Sequence, residues 1–195
     1  MDKKIEKAMR VINDMLIYRG MTNIDLPLNV QLNQFMIFNI QRIVIAFILE
    51  PYVSLNDDKS IIMRQLVPKI NFDDFDSILI VFAEEREIGN SKFEIMLKTA
   101  KKTYEFWAID ALQYNPSVHN LVPFHKKLTK SPADIKNLLE KYQIKDIAQL
   151  PWILNNDPMA RFICAQENDI VEIHRRSPTS GIHIVHRVCK VFGAS

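Results

Sequence analysis

SILIVFAEEREIGNSKFEIMLKTAKKTYEFWAID, residues 77–110, is the segment from which the architecture unfolds. Its first part, SILIVFA (77–83), is a short apolar run rich in β-branched and aromatic residues and reads as a buried strand. SKFEIMLKTAKK (91–102) reads as a helix, and YEFWAID (104–110) as another strand. A strand, a helix and a strand in succession predict an α/β layer whose sheet is largely parallel. Towards the N-terminus, FMIFNI (35–40) and RIVIAFIL (42–49) have strand composition, and Glu50-Pro51 closes the second of them. Ile61 to Val67 reads as a helix ended by Pro68. Ile5, Ala8, Met9, Ile12, Met15 and Leu16 recur at helical spacing, with Lys3, Lys7, Arg10 and Asp14 on the other side. They predict an amphipathic helix over 2–19 that Gly20 stops.

Towards the C-terminus the composition changes at QYNPSVHN (113–120), where Asn115-Pro116 offers a break. This divides the chain into an α/β domain, 1–117, and a small mixed α+β domain, 118–195. The second domain opens with a short extended piece, HNLVPFH (119–125), followed by a helix with Ser131 as N-cap, Pro132 at its first position and Asp134 in its first turn. Ile135, Leu138, Leu139 and Tyr142 make that helix's apolar stripe. Asp157 and Pro158 start a second short helix, with Met159 to Cys164 following. DIVEIHR (169–175) and IHIVHRVC (182–189) flank SPTSG (177–181), whose Gly181 can take a positive φ, and predict a terminal β-hairpin.

Composition removes several classes of function. The 195 residues are 48% hydrophobic and 25% charged with a net charge of +2, which describes a globular chain without a global field towards nucleic acid or membrane. The two cysteines, Cys164 and Cys189, make neither a disulfide framework nor a four-ligand zinc site. The N-terminus lacks an apolar signal region, and the longest apolar run, Ile43 to Leu49, is far short of the ~20 residues of a membrane span. A soluble intracellular protein is the expectation. With 4 glycines the chain carries no GxGxxG, GxxxxGK[ST] or GxSxG, so dinucleotide, P-loop and hydrolase readings lack their motifs.

Other candidates are weaker than their bland alternatives. Cys189 shares a hairpin with His174, His183 and His186, but strand cysteines are usually small buried hydrophobes. His183 and His186 are an odd number of residues apart, so they face opposite sides of a strand and share no ion. His119 and His125 are separated by Pro123 and have no nearby carboxylate or thiolate partner in sequence. Asp73, Asp74 and Asp76 precede a strand in the manner of a Mg²⁺-dependent nuclease, yet no predicted strand carries the acid-x-Lys such enzymes need; the nearest match, Asp57 to Lys59, lies in a turn. A solvated loop accounts for the triplet. Lys126, Lys127 and Lys130, and Arg175 with Arg176, are basic groups able to touch phosphate or an acidic partner. Lys98, Lys101 and Lys102 offset a helix dipole instead. No aromatic and basic interleaving marks a single-strand platform.

The C-terminal string resembles the fifth-largest subunit common to the eukaryotic nuclear DNA-directed RNA polymerases, together with its archaeal relative, which lacks an N-terminal domain. The matching pieces come in family order: HNLVPFH, LTK (128–130), KYQI (141–144), QLP (149–151), DPMAR (157–161) and IVEIHRRSPTSGIHIVHRV (170–188). They meet the family's H-x-LVP-x-H, TK, QLP, DP-x-AR and R-x-S-x-T-x-G at His119, Leu121, Val122, Pro123, His125, Thr129, Lys130, Gln149, Leu150, Pro151, Asp157, Pro158, Ala160, Arg161, Arg175, Ser177, Thr179 and Gly181. Trp152, Asn156 and Arg176 depart from the pattern. The resemblance implies a protein without an active site, cofactor, metal or small-molecule substrate. Its second domain would be an assembly module docking on the largest polymerase subunit, and its first a jaw-like domain projecting towards downstream DNA. The implied partner-binding residues are His119, Pro123, His125, Arg161, Arg175, Ser177, Thr179, Gly181 and Arg187. Glu84, Glu85 and Glu87 would repel phosphate, which makes direct DNA contact weak. Almost no residue-level match is evident before residue 115, as in a divergent homologue such as one encoded by a large DNA virus. Its location would be that of the polymerase: host cytoplasm and virion if viral, nucleus if cellular. A Mg²⁺-dependent nuclease using Asp73, Asp74 or Asp76, and a free nucleic-acid adaptor using Lys126, Lys127 and Arg176, are the alternatives.

Overall fold

A computed structural model describes residues 2–22, 35–49, 66–84, 92–128, 131–177, 179, 181–191 and 193. The expectations for Glu50-Pro51, Asp57 to Lys59, Ile61 to Gln65, Glu85, Glu87, Thr129 and Lys130 fall outside those residues. The chain forms two compact units, residues 1–114 and 115–195.

In the first unit, strands β1 (Phe35–Ile40), β2 (Ile43–Ile48), β3 (Ser77–Phe82) and β4 (Thr103–Ala108) lie side by side in sequence order. The first pair is antiparallel, closed by a two-residue turn in which Gln41 takes φ +52°; β2, β3 and β4 run parallel. Residues Val44 to Ile48 and Ile78 to Phe82 are all buried, as befits central strands covered on both faces. One face carries Val44, Ala46, Ile48, Ile78, Ile80 and Phe82, and packs against Phe93 and Leu97 of α2 (Lys92–Thr99). The opposite face bears Ile45, Leu79 and Glu105 in one cross-strand row. There α1 (Asp2–Tyr18) is tied down: just past its end, Arg19 grips Glu105 through Nη1–Oε1 (2.6 Å) and Nη2–Oε2 (2.8 Å). The apolar stripe read from the sequence, Ile5 to Leu16, is buried throughout.

Three boundaries differ from expectation. Pro68, expected to follow the last helical residue, sits inside a turn of 3-10 helix, Val67–Lys69. The second helix stops at Thr99, with Lys101 at φ +54°, and β4 yields at Ile109 to a 3-10 stretch, Ile109–Gln113. In that stretch Gln113 donates to the carbonyls of Ile109 and Lys4, local and distant contacts that strand propensity cannot anticipate.

In the second unit the sheet order is β5 (Phe124–Lys127), β7 (Ile170–Ser177), β8 (Gly181–Lys190), β6 (Trp152–Leu154). The β7–β8 hairpin is antiparallel, and β6 joins β8 in parallel. One face packs Ile170 and Val188 against Leu138 of α3 (Pro132–Tyr142). The other buries Val171, Ile173 and Cys189, together with Met159, Ala160 and Phe162 of α4 (Pro158–Phe162). Both helix starts follow the sequence. Ser131 accepts from the Asp134 amide (3.1 Å), and Asp157 Oδ1 accepts from the Met159 (2.8 Å) and Ala160 (3.2 Å) amides. The extended reading of HNLVPFH holds only for its end. Pro116–Val118 is a 3-10 turn, the Val122 amide donates to the His119 carbonyl (2.9 Å), and strand begins at Phe124.

Candidate docking surface

The hairpin register decides which expected partner residues meet. His125 pairs with Ile173, Arg175 with His183, Ser177 with Gly181, and Arg187 with Val171. Paired residues in a sheet share a face, so His125, Arg175, His183, Ser177 and Arg187 lie on the same one. Gly181 takes φ +72°, the left-handed conformation that lets β7 turn back, and Ser177 and Thr179 join hydroxyls across the turn at 3.2 Å.

Within that group the roles separate. His125 is only 6% exposed, and its Nδ1 lies 2.7 Å from the Pro123 carbonyl, so it fastens the start of β5 from inside. Burial lowers its proton affinity, against the Pro123 hydrogen bond, and Arg175 and Arg187 add to the lowering. His119 is exposed and accepts the Leu121 amide at 3.2 Å. Arg161 is half-buried in the last turn of α4. Arg187 donates to the Trp152 carbonyl at 2.8 Å, holding β6 to β8. Arg175 and Arg176 are exposed, and their side chains make no hydrogen bond among the described residues.

The structure adds residues that the sequence alone does not single out. Phe124, His174 and Ile184 form one cross-strand row on the other face, with Ile182 further along. Phe124 is 49% exposed, Ile182 63% and Ile184 39%. The signal lies in the alternation of IHIV: residues 182 and 184 share a face with Val188, but α3 covers only its base. Arg176 pairs with Ile182, so a cation borders this apolar row.

The competing readings have no such geometry. Asp76 is clamped by Arg42 through Nε–Oδ2 (2.6 Å) and Nη2–Oδ1 (2.8 Å), and that hydrogen bonding holds its carboxyl below the usual range. Asp73, Asp74 and Asp76 sit where β3 begins, whereas open parallel sheets bind ligands beyond the carboxyl ends of their strands. No group of three or more His, Cys, Asp or Glu among the described residues is placed to hold a metal. Lys127, one of the three residues of the adaptor reading, is engaged internally, near the Cys164 carbonyl (3.2 Å) and Asp169 (3.6 Å). Cys189 is fully buried, and burial raises its thiol pKa to about 11, so it is no nucleophile at neutral pH. No helix among the described residues is long and apolar enough to cross a membrane.

Among the described residues the second unit presents a basic, partly apolar hairpin, a surface of the kind found in binding subunits. The family described as RNA polymerase Rpb5, C-terminal domain, matches residues 114–189. The DNA-directed RNA polymerase subunit Rpo5 of Pyrococcus horikoshii is 45% identical over 76 residues, which cover 39% of this chain and 89% of that protein. Rpo5 of Methanocaldococcus jannaschii is 41% identical over 70 residues, 36% of this chain and 86% of that protein. The subunit rpabc1 of the DNA-directed RNA polymerases I, II and III of Dictyostelium discoideum is 31% identical over 142 residues, 72% of this chain and 64% of that protein. The chain belongs to the Rpb5 family. The last match also corrects one expectation: 142 residues cannot fit within 115–195, so similarity extends well into the first unit.

Proposed function

We propose that this protein is a non-catalytic subunit of a multisubunit DNA-directed RNA polymerase, seated on the largest subunit by residues 115–195. The first unit then serves as a jaw-like domain near downstream DNA. What carries the reading is that the Rpo5 subunits match this chain over 89% and 86% of their own length, and that the family model falls on residues 114–189. The second unit is the one whose exposed hairpin offers Arg176 beside Ile182 and Ile184 on one face and Arg175 on the other. Guanidinium groups suit carboxylates and carbonyls of a protein partner, and aliphatic side chains next to them gain from burial at the same interface. The protein acts wherever that polymerase acts. Exposed Glu84 argues against a close phosphate contact by the segment after β3. The double charge reversal Arg175→Glu with Arg176→Glu tests the seat. Recovery of the two large catalytic subunits with the tagged protein falls at least tenfold while hydrogen exchange in β7 stays unchanged; undiminished recovery would remove the hairpin tip from the interface.

A further inference from the structure

Four side chains form one hydrogen-bonded line between α3 and the sheet. The Tyr142 hydroxyl lies 2.8 Å from His186 Nδ1, His186 Nε2 lies 3.3 Å from Glu172 Oε2, and Glu172 Oε1 lies 2.6 Å from His174 Nε2. The register makes the line: Glu172 is directly opposite His186, and His174, two residues along β7, is on the same face. Tyr142 comes from the last turn of α3, with its ring edge-on to His186 at 5.6 Å between centroids.

Donor and acceptor chemistry fixes the protons. An ionised carboxylate only accepts, so both imidazoles carry hydrogen on Nε2, and His186 Nδ1 is the acceptor for the Tyr142 hydroxyl. Every polar atom of His186 is therefore matched while the ring is neutral. A second proton, on Nδ1, faces the Tyr142 donor and forces that hydroxyl to turn round. It also places a cation with only 5% side-chain exposure near Lys141 on α3 and His174 on β7. Glu172, the anion facing it, already serves His174. Its neighbours on β8, Ile184 and Val188, are uncharged.

We propose that this line is a proton-sensitive latch: neutral His186 holds the last turn of α3 to the sheet, and protonation of His186 releases it, loosening residues 139–144. Burial and Lys141 lower the ring's proton affinity below the ordinary 6.5, so the folded unit binds fewer protons than the unfolded chain just below that pH. Stability is then complete above pH 6.5 and is lost as pH falls, by up to about tenfold in the opening equilibrium per pH unit. Glu172 contributes with the same sign but only at lower pH, because its carboxyl sits below 4.5: burial opposes this, and hydrogen bonds from His174 and His186 outweigh it. His125 is on the other face, near Asp157, Arg175 and Arg187, and has no part in the line.

Hydrogen exchange of the full chain, read at residues 139–144 and corrected for intrinsic chemistry, tests the latch. Between pH 7.5 and 5.5 opening rises up to about tenfold relative to β3 of the first unit. In His186→Gln, whose amide donates to Glu172 and accepts from Tyr142 without titrating, the rise disappears. In Tyr142→Phe, which keeps the ring and loses the hydroxyl, exchange is already faster at pH 7.5, and the His186 ring's own titration still adds to it as pH falls. A wild type without pH dependence in this segment overturns the proposal, as does a dependence that survives in His186→Gln or a Tyr142→Phe chain that exchanges no faster than wild type at pH 7.5.

Discussion

Replacing Asp157 by alanine removes an acceptor that serves two amides at once. Its Oδ1 takes the Met159 amide at 2.8 Å and the Ala160 amide at 3.2 Å. Pro158, at the first helical position, has no amide to satisfy, so these are the donors that matter. Met159 is 3% exposed and Ala160 0%, which leaves water poor access to the vacated position. Loss of such a cap costs about 1 kcal/mol on average and about 2 kcal/mol in the less forgiving cases. Two donors near the core of a helix of 5 residues place this site at the upper end, about 2 kcal/mol. That corresponds to an opening equilibrium raised about 30-fold. Hydrogen exchange resolved by segment measures it: β7 and β8 amides exchange about 30-fold faster, while β3 of the first unit is the internal control. Asp157→Asn keeps the acceptor and changes β7 by a few-fold at most. An acceleration below about threefold in the alanine variant, or equal effects of alanine and asparagine, would refute the capping argument.

In the first unit, Glu105→Ala takes the carboxylate from Arg19, a pair whose side chains are 13% and 15% exposed, and costs about 3 kcal/mol. Glu105 also accepts the Trp107 indole N–H at 3.2 Å, so Glu105→Gln, which keeps an acceptor, loses less. Exchange in β3 reports the loss and exchange in β7 stays level; equal stability of the alanine variant and wild type would contradict it. With iodoacetamide at pH 7.5, the half-buried Cys164 is alkylated well before Cys189, because burial keeps the latter thiol protonated. Peptide mass mapping over time decides the order, and simultaneous labelling of the native protein would show that Cys189 is not sealed.

What is legible in the sequence is legible through short-range chemistry. Ser131-Pro132 and Asp157-Pro158 mark helix starts because cap, missing amide and first-turn donors lie within three residues of one another. The central strand can be read from SILIVFA because burial on both faces erases alternation, and the edge strand YEFWAID from its aromatic composition. His183 and His186 fall on opposite faces by parity alone, and His183 is exposed where His186 is buried. The failures are contacts between distant positions. Arg19 and Glu105 are 86 residues apart and Tyr142 and His186 are 44 apart, and neither pair has a local signature. HNLVPFH looks extended by composition, but the Leu121 amide bound to the His119 ring and the Val122 amide bound to the His119 carbonyl bend its first half. His125 and Arg187, expected at the contact with a partner, each also make a hydrogen bond within the fold, to Pro123 and Trp152, that has no signature in composition.

The seat on the polymerase is tested most directly by tagging the full chain, residues 1–114 and residues 115–195 separately. Each is expressed beside the polymerase and purified in mild salt, and the two large catalytic subunits are quantified by mass spectrometry. The account predicts comparable recovery with the full chain and with 115–195, and far less with 1–114. Recovery of the full chain without the large subunits, or their retention by 1–114 and not by 115–195, would contradict it.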